Sequence, residues 1–379
     1  MDATPPGHPG RAIYQFNLGL TLLARSEHTS NAVDLDAALA CLRQASQTAT
    51  GSPATRLVAA GNWGWAAASA GRTHEAAGGY ATAVGLLPQV AWHGLARASR
   101  EEQLARWAGL AADAAACAVL DGRAERAVEL LEQGRSVLWA QALHLRTDLT
   151  QLAGEHPHLA RRLDAIRAVL DRPAPDEAAA ELRRRKASEW DGTLAEVRAL
   201  KGFEHFLAAT PYAELTAPVA AGAAAGPVVI VNASRHGCHA LIVRAGSAPA
   251  EVVDLPGMSL TDASGQADAM LAALADSSRG SSDREKGRLA ILDILDWLWE
   301  VLAEPVLTAL GHTATPASGD ACPRVWWSPA GPLTVLPIHA AGRHPRHGDT
   351  VAGASVLDRV VSSYTPTLDA LARASSVGV

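Results

Sequence analysis

Pro227-Val228-Val229-Ile230-Val231-Asn232 (PVVIVN) is the stretch whose reading decides the fold class. A run of β-branched apolar residues this short, closed by a polar Asn, reads as a buried strand rather than a helix. His239 to Val243 (HALIV) is a second such run, separated from the first by a Ser234-Arg235-His236-Gly237 turn, so the two predict a hairpin. Glu251 to Leu255 (EVVDL) supplies a third strand. Downstream, helical spacing returns over Leu260 to Ala275 and over Asp283 to Leu310, where Ile291, Ile294, Leu295, Leu298 and Leu302 share one face. Arg324 to Ser328 (RVWWS) has strand character again, ends in Pro329-Ala330-Gly331-Pro332 and leads into LTVLPIHAAG. Val356 to Pro366 (VLDRVVSSYTP) reads as one more strand, with a helix beginning at Thr367. Strands alternating with helices predict a mixed or mostly parallel sheet covered by helices.

Upstream of PVVIVN the texture changes. Ala217-Pro218 to Gly226-Pro227 is an Ala, Gly and Pro stretch without periodicity, which reads as an exposed loop at a domain boundary. Before it, Glu155 to Leu207 carries Leu, Ile and Val among Arg and Glu at helical spacing, interrupted by Asp171-Arg172-Pro173-Ala174-Pro175-Asp176. The prolines end one helix and Asp176 caps the next, a helical hairpin.

Arg11 to Thr150 is rich in Ala and Leu and broken by Gly-Arg turns, the texture of packed helix pairs. Arg11, Asn17 and Gly19 recur as Arg56, Asn62 and Gly64, each 45 positions later. Small residues at Gly19 and Gly64 let neighbouring helices approach, while Leu20, Leu23, Trp63 and Ala67 cover the groove. One unit runs from Ala60 to Pro88: a helix with Trp63 and Ala67, a turn at Gly71-Arg72, and a helix with Ala76, Ala77, Tyr80, Ala83 and Leu87, closed by Pro88. A second turns at Gly122-Arg123, with Ala124, Ala127, Val128, Leu131 and Leu138 on one face; Gly94 to Arg106 starts another helix between them. Such units stack into a solenoid whose concave surface binds a peptide or protein client. The domains are therefore 1–150, the helical repeat array; 151–216, the helical hairpin connector; and 217–379, the α/β domain.

Composition bounds the chemistry. With 33 basic against 39 acidic side chains the net charge is −6, so the chain has no positive field to recruit phosphate backbones and nucleic acid is not an expected partner. The basic run Arg183-Arg184-Arg185-Lys186 lies in a helical pattern beside Glu181 and Glu189 and reads as a solvated face. MDATPPGHPG lacks the charged start and apolar stretch of a secretory signal, and no apolar run has spanning length, so a cytoplasmic protein without membrane contact is expected. Cys41, Cys117, Cys238 and Cys322 form no CxxC pair and read as buried free thiols.

Three places could carry chemistry. His236, Cys238 and His239 are the densest group of metal-ligating types, but strand alternation sends Cys238 and His239 to opposite faces. His339 lies beside a strand end in LPIHAAG, and Cys322 is near it in sequence but precedes the strand. No G-x-S-x-G elbow and no G-x-x-x-x-G-K-[ST] loop occurs. No catalytic, cofactor-binding or metal-ligating residue is therefore assigned, and no cofactor is expected.

Tyr80 and Pro88 stand near the aromatic and proline positions of a tetratricopeptide repeat, which the Ala60 to Pro88 unit resembles. Glu129-Leu130-Leu131-Glu132-Gln133-Gly134-Arg135, Trp326-Trp327-Ser328-Pro329-Ala330-Gly331-Pro332-Leu333, Leu336-Pro337-Ile338-His339-Ala340-Ala341-Gly342 and Ser362-Ser363-Tyr364-Thr365-Pro366-Thr367-Leu368 resemble, in the same order, segments of CHAT-domain proteins of actinobacterial type. The resemblance implies tetratricopeptide-like repeats leading through a helical hairpin into a caspase-like α/β sheet, an α plus α/β architecture. CHAT domains are related to caspases and separases, and active members are cysteine peptidases. That chemistry needs a thiolate, an imidazole beside it and backbone amides for the oxyanion. In the family the His and Cys follow the segment resembling SSYTPTL; here no counterpart follows Thr367, and LPIHAAG corresponds to a core segment. The expectation is an incomplete sheet with an exposed apolar edge and a chain without peptidase activity by itself. The start, ATPPGHPGRAIYQFNLG, resembles a junction between two repeats of a longer array. Two other expectations stand beside this one: a non-enzymatic adaptor whose repeats bind a client and whose sheet is a finished module, and an unrelated hydrolase using His339 with a nucleophile at about 3 Å.

Overall fold

Helices begin where the sequence offers caps. Asn31 Oδ1 accepts the Val33 N–H at 3.0 Å ahead of the second helix, and Ser52 Oγ accepts the Thr55 N–H at 3.2 Å ahead of the third, which has Pro53 in its first turn. The computed structural model describes residue 8 and residues 10–91, 97–143, 148–170, 172, 177–220, 225–246, 248–277, 281–345 and 354–376. Its helices in the first part are α1 (Arg11–Thr29), α2 (Ala32–Gln47), α3 (Pro53–Ser69), α4 (Thr73–Ala91), α5 (Arg97–Leu120), α6 (Ala124–Leu143), α7 (Asp148–Glu155), α8 (Pro157–Leu170) and α9 (Glu177–Arg198). The chain forms two units, Met1–Asp121 with Leu130–Thr210, and Gly122–Glu129 with Pro211–Val379.

In the helical unit, small residues set the spacing. A Cβ on Gly79 of α4 would sit 2.5 Å from the backbone nitrogen of Gly64 on α3, and one on Gly64 would sit 2.7 Å from the Tyr80 ring. Gly19 of α1 meets Leu42 of α2 in the same way, at 2.9 Å. Trp63, Ala67, Ala76, Ala77, Tyr80, Ala83 and Leu87 are buried between these helices. Gly71, at φ 71°, turns α3 into α4 in a left-handed conformation that a side chain would strain. Pro88 does not close α4: the helix runs on to Ala91, losing only the N–H that would have reached Val84. Gly94 lies outside the described residues, and α5 starts at Arg97. Pro173, Pro175 and Asp176 also lie outside them, as does the Leu138 side chain. The helices they were expected to separate, α8 and α9, pack through Leu159, Leu163, Ile166, Trp190, Val197, Phe203 and Phe206.

The second unit holds α10 (Tyr212–Ala220), a five-stranded mixed sheet and its covering helices. The strands are β1 (Val228–Ser234), β2 (Gly237–Val243), β3 (Glu251–Asp254), β4 (Arg324–Pro329) and β5 (Val361–Tyr364), in the order β3-β2-β1-β4-β5. β1 and β2 form the hairpin around Arg235-His236, β2 and β3 are antiparallel, and β1, β4 and β5 run parallel. Between β3 and β4 come α11 (Leu260–Ser277), α12 (Ser281–Leu298), a π-turn at Trp299–Ala303 and α13 (Glu304–Leu310). The stretch Asp283 to Leu310 is thus one helical path with a local widening that turns Trp299 into the core. Val229, Val231, Ala240, Ile242, Val325 and Trp327 on one sheet face pack against Ile294, Leu298, Trp299, Leu302 and Val306.

Two local expectations, the loop at Pro218 and the strand over Val356 to Pro366, differ from the fold. Pro218 lies inside α10 rather than in a loop. LTVLPIHAAG forms two short 3-10 turns, Gly331–Val335 and Ile338–Ala340, because Pro332 and Pro337 have no N–H for a ladder. Val356–Arg359 is one helical turn, α14, started by Ser355, whose hydroxyl accepts the Asp358 N–H at 3.3 Å; the strand is confined to Val361–Tyr364. α15 (Leu368–Ser376) follows β5. Among the described residues, no helix is long and apolar enough to cross a membrane.

Candidate functional site

Parallel pairing of β4 and β5 brings the chemistry-bearing residues of the sheet unit together. Trp327 pairs with Tyr364, so the end of β5 lies beside the turns that follow β4. There the Tyr364 hydroxyl accepts the His339 backbone N–H at 3.0 Å and lies 3.0 Å from His339 Nδ1, and the two rings meet edge to face at 5.7 Å. Burial pushes the Tyr364 hydroxyl above its usual range, against the lowering effect of the backbone N–H groups of His339 and Ile338. The imidazole is exposed while its neighbours Leu336, Ile338 and Ala341 are buried. His339 therefore faces a neutral phenol, not a thiol or an aliphatic hydroxyl.

Cys322 is exposed and stands two residues before β4. Pro323 beside it takes the N–H of Val361, at the opposite end of β5 from Tyr364, at 2.8 Å. Trp327 is five positions beyond Cys322, about 16 Å along an extended chain. A thiol–imidazole pair needs about 3 Å. Cys322 and His339 are not such a pair.

The other thiols are poorly disposed to ionise. Burial, helped by the Asp113 carboxylate, pushes Cys117 up to about 12, and burial raises Cys41 and Cys238 as well. Cys238 points into the core and lies 4.0 Å from the Ser234 carbonyl that it donates to. His239 projects from the opposite face. Its imidazole is buried, Nδ1 has no hydrogen-bond partner, Nε2 is 3.7 Å from Asp254, and burial holds its pKa down against the pull of Asp254. His236 sits in the hairpin turn, its N–H on Ser234 Oγ at 3.1 Å. The three residues do not converge, and among the described residues no three His, Cys, Asp or Glu side chains group as a metal site.

The helical unit presents a different kind of surface. In the 45-residue register that relates Gly19 to Gly64, Ile13 of α1 corresponds to Val58 of α3, and Leu20 corresponds to Trp65. Ile13 and Val58 are 47% and 40% exposed, and Trp65 is 36% exposed on the same face of α3 as Val58. Equivalent positions of two successive helix pairs thus hold apolar side chains in solvent. Trp63 and Ala67, by contrast, are buried packing residues. Extending the Arg11/Arg56 register by two positions would have found Ile13 and Val58; nothing local in the sequence announces the His339–Tyr364 contact, which pairing of β4 with β5 creates. Comparison with known proteins finds no matching family model, curated protein or solved structure.

Proposed function

We propose that this chain is a CHAT-type protein whose tetratricopeptide-like helix pairs bind a protein client, with the caspase-like α/β part serving as an adaptor module rather than as a peptidase. The observation that carries this reading is the repeated exposure of apolar side chains, Ile13 and Val58, at equivalent places on α1 and α3. Monomeric surfaces scatter single apolar residues, but repetition in register marks a surface that each unit contributes to. The client chemistry that fits is an amphipathic or extended segment presenting aliphatic side chains. Peptidase chemistry has weaker support: His339 is engaged by Tyr364, Cys322 lies at the far end of β4, and the remaining thiols are held protonated by burial.

The test places a photo-crosslinking amino acid at position 65 of the full chain in its native host. A discrete protein adduct that disappears in the Val58→Asp background supports the reading. Crosslinking that is absent, or that is unchanged by Val58→Asp, contradicts it.

A further inference from the structure

The two edges of the sheet are built differently. β3 carries Glu251 and Asp254 at its ends, both exposed, charges of the sort that keep a foreign strand off an edge. β5 has no charged residue; its sequence is Val361-Ser362-Ser363-Tyr364, with Val361 and Tyr364 41% and 43% exposed. On its inner side the N–H groups of Val361 and Thr365 bond to the Pro323 and Trp327 carbonyls, at 2.8 and 3.0 Å. Alternation then turns the N–H and C=O of Ser362 and Tyr364 outward, where no described residue bonds them.

One cation belongs to this edge. Arg324, paired with Val361 across the ladder, donates to Ser363 Oγ and lies 6.0 Å from the centre of the Trp326 ring. Among the described residues it meets no carboxylate: Asp358 is held by Ser355, and Asp369 by Arg373 at 2.8 Å. We propose that the open edge of β5 docks an extended acidic segment of a partner polypeptide. The segment's backbone completes the hydrogen bonds of Ser362 and Tyr364. Its apolar side chains lie on the Tyr364 face, and a carboxylate on the opposite face, that of Val361 and Ser363, meets Arg324. This inference stands independently of the client surface on the helix pairs.

The experiment measures fluorescence anisotropy of two labelled short peptides, one alternating valine with glutamate and one alternating valine with lysine, against the full chain. The glutamate peptide binds about fivefold more tightly than the lysine peptide. Ser362→Pro removes one outward N–H at a position where an edge strand tolerates proline, and weakens binding about tenfold. Arg324→Gln, which leaves the backbone edge intact, weakens the glutamate peptide about fivefold and abolishes the preference between the two. A circular dichroism spectrum unchanged from the parent qualifies each variant, and Arg324→Gln decides the question if Ser362→Pro misfolds. Equal binding of both peptides, or self-association of the chain through β5 that excludes them, overturns the proposal.

Discussion

The two units solve the packing problem with opposite materials. The helical unit is built on absence of volume: Gly64 and Gly79 bring α3 and α4 to backbone contact, and fully buried alanines such as Ala38, Ala59, Ala60, Ala67 and Ala77 fill the seams. The sheet unit is built on volume: Trp299 and Trp327, among the largest fully buried side chains, join Val229, Ile242, Leu298 and Leu302 around one sheet face. The lesson is that the same substitution type has opposite consequences in the two halves. Added methyl groups threaten the first, and removed ones threaten the second.

The largest expected effect is in the sheet. Trp327→Ala removes a buried indole and its Nε1 donation to Ser362 at 3.0 Å, and should cost the sheet unit about 3–5 kcal/mol. Hydrogen exchange read separately over Val228–Val243 and over α3 and α4 checks it, with loss of protection confined to the sheet as the expected outcome. Next comes the helical seam. Gly79→Ala puts a Cβ against immovable backbone and should destabilise α3 and α4 by about 1–3 kcal/mol, although alanine favours helix. Gly85→Ala, on the same helix but with nothing within 4 Å of the new Cβ, should instead stabilise by about 0.5–1 kcal/mol. Opposite signs at two glycines six residues apart are the sharpest form of the comparison; urea unfolding of both variants measures it.

The smallest effect separates the units by pH. His239 and His312 have pKa values held down by burial in the folded sheet unit. As pH falls below about 6.5 the unfolded chain takes up these protons first, so the sheet unit loses stability with acid from that point. In the helical unit Asp34 and Glu189 are lowered by Arg25 and Lys186, a contribution present at neutral pH and lost only as pH falls through the carboxylate range. The sheet should therefore lose exchange protection at higher pH than the helices, and His239→Gln should narrow the gap.

Which parts of this were readable from the residues follows from range. β1, β2 and β4 announce themselves because β-branched runs and a two-residue turn are local properties. The tolerance of α4 for Pro88 and of α10 for Pro218 is not local: tertiary packing holds each helix together past a residue that would end it in isolation. The one-turn α14 hid inside VLDRVVSSYTP because its apolar pattern fits a strand, and only the Ser355 cap marks the helix. The His339–Tyr364 contact joins residues 25 positions apart across a parallel pairing that no periodicity encodes. Cys322 precedes β4 and His339 follows it, so the length of the strand separates them.

The proposed absence of peptidase chemistry rests on there being no thiol–imidazole pair among the described residues. It is tested most directly by intact-mass analysis of the purified chain treated at neutral pH with a peptidyl fluoromethyl ketone, with His339→Ala alongside. The account predicts slow labelling at the exposed Cys322 alone, at the same rate in both proteins. Rapid labelling of any cysteine that is lost in His339→Ala would contradict it.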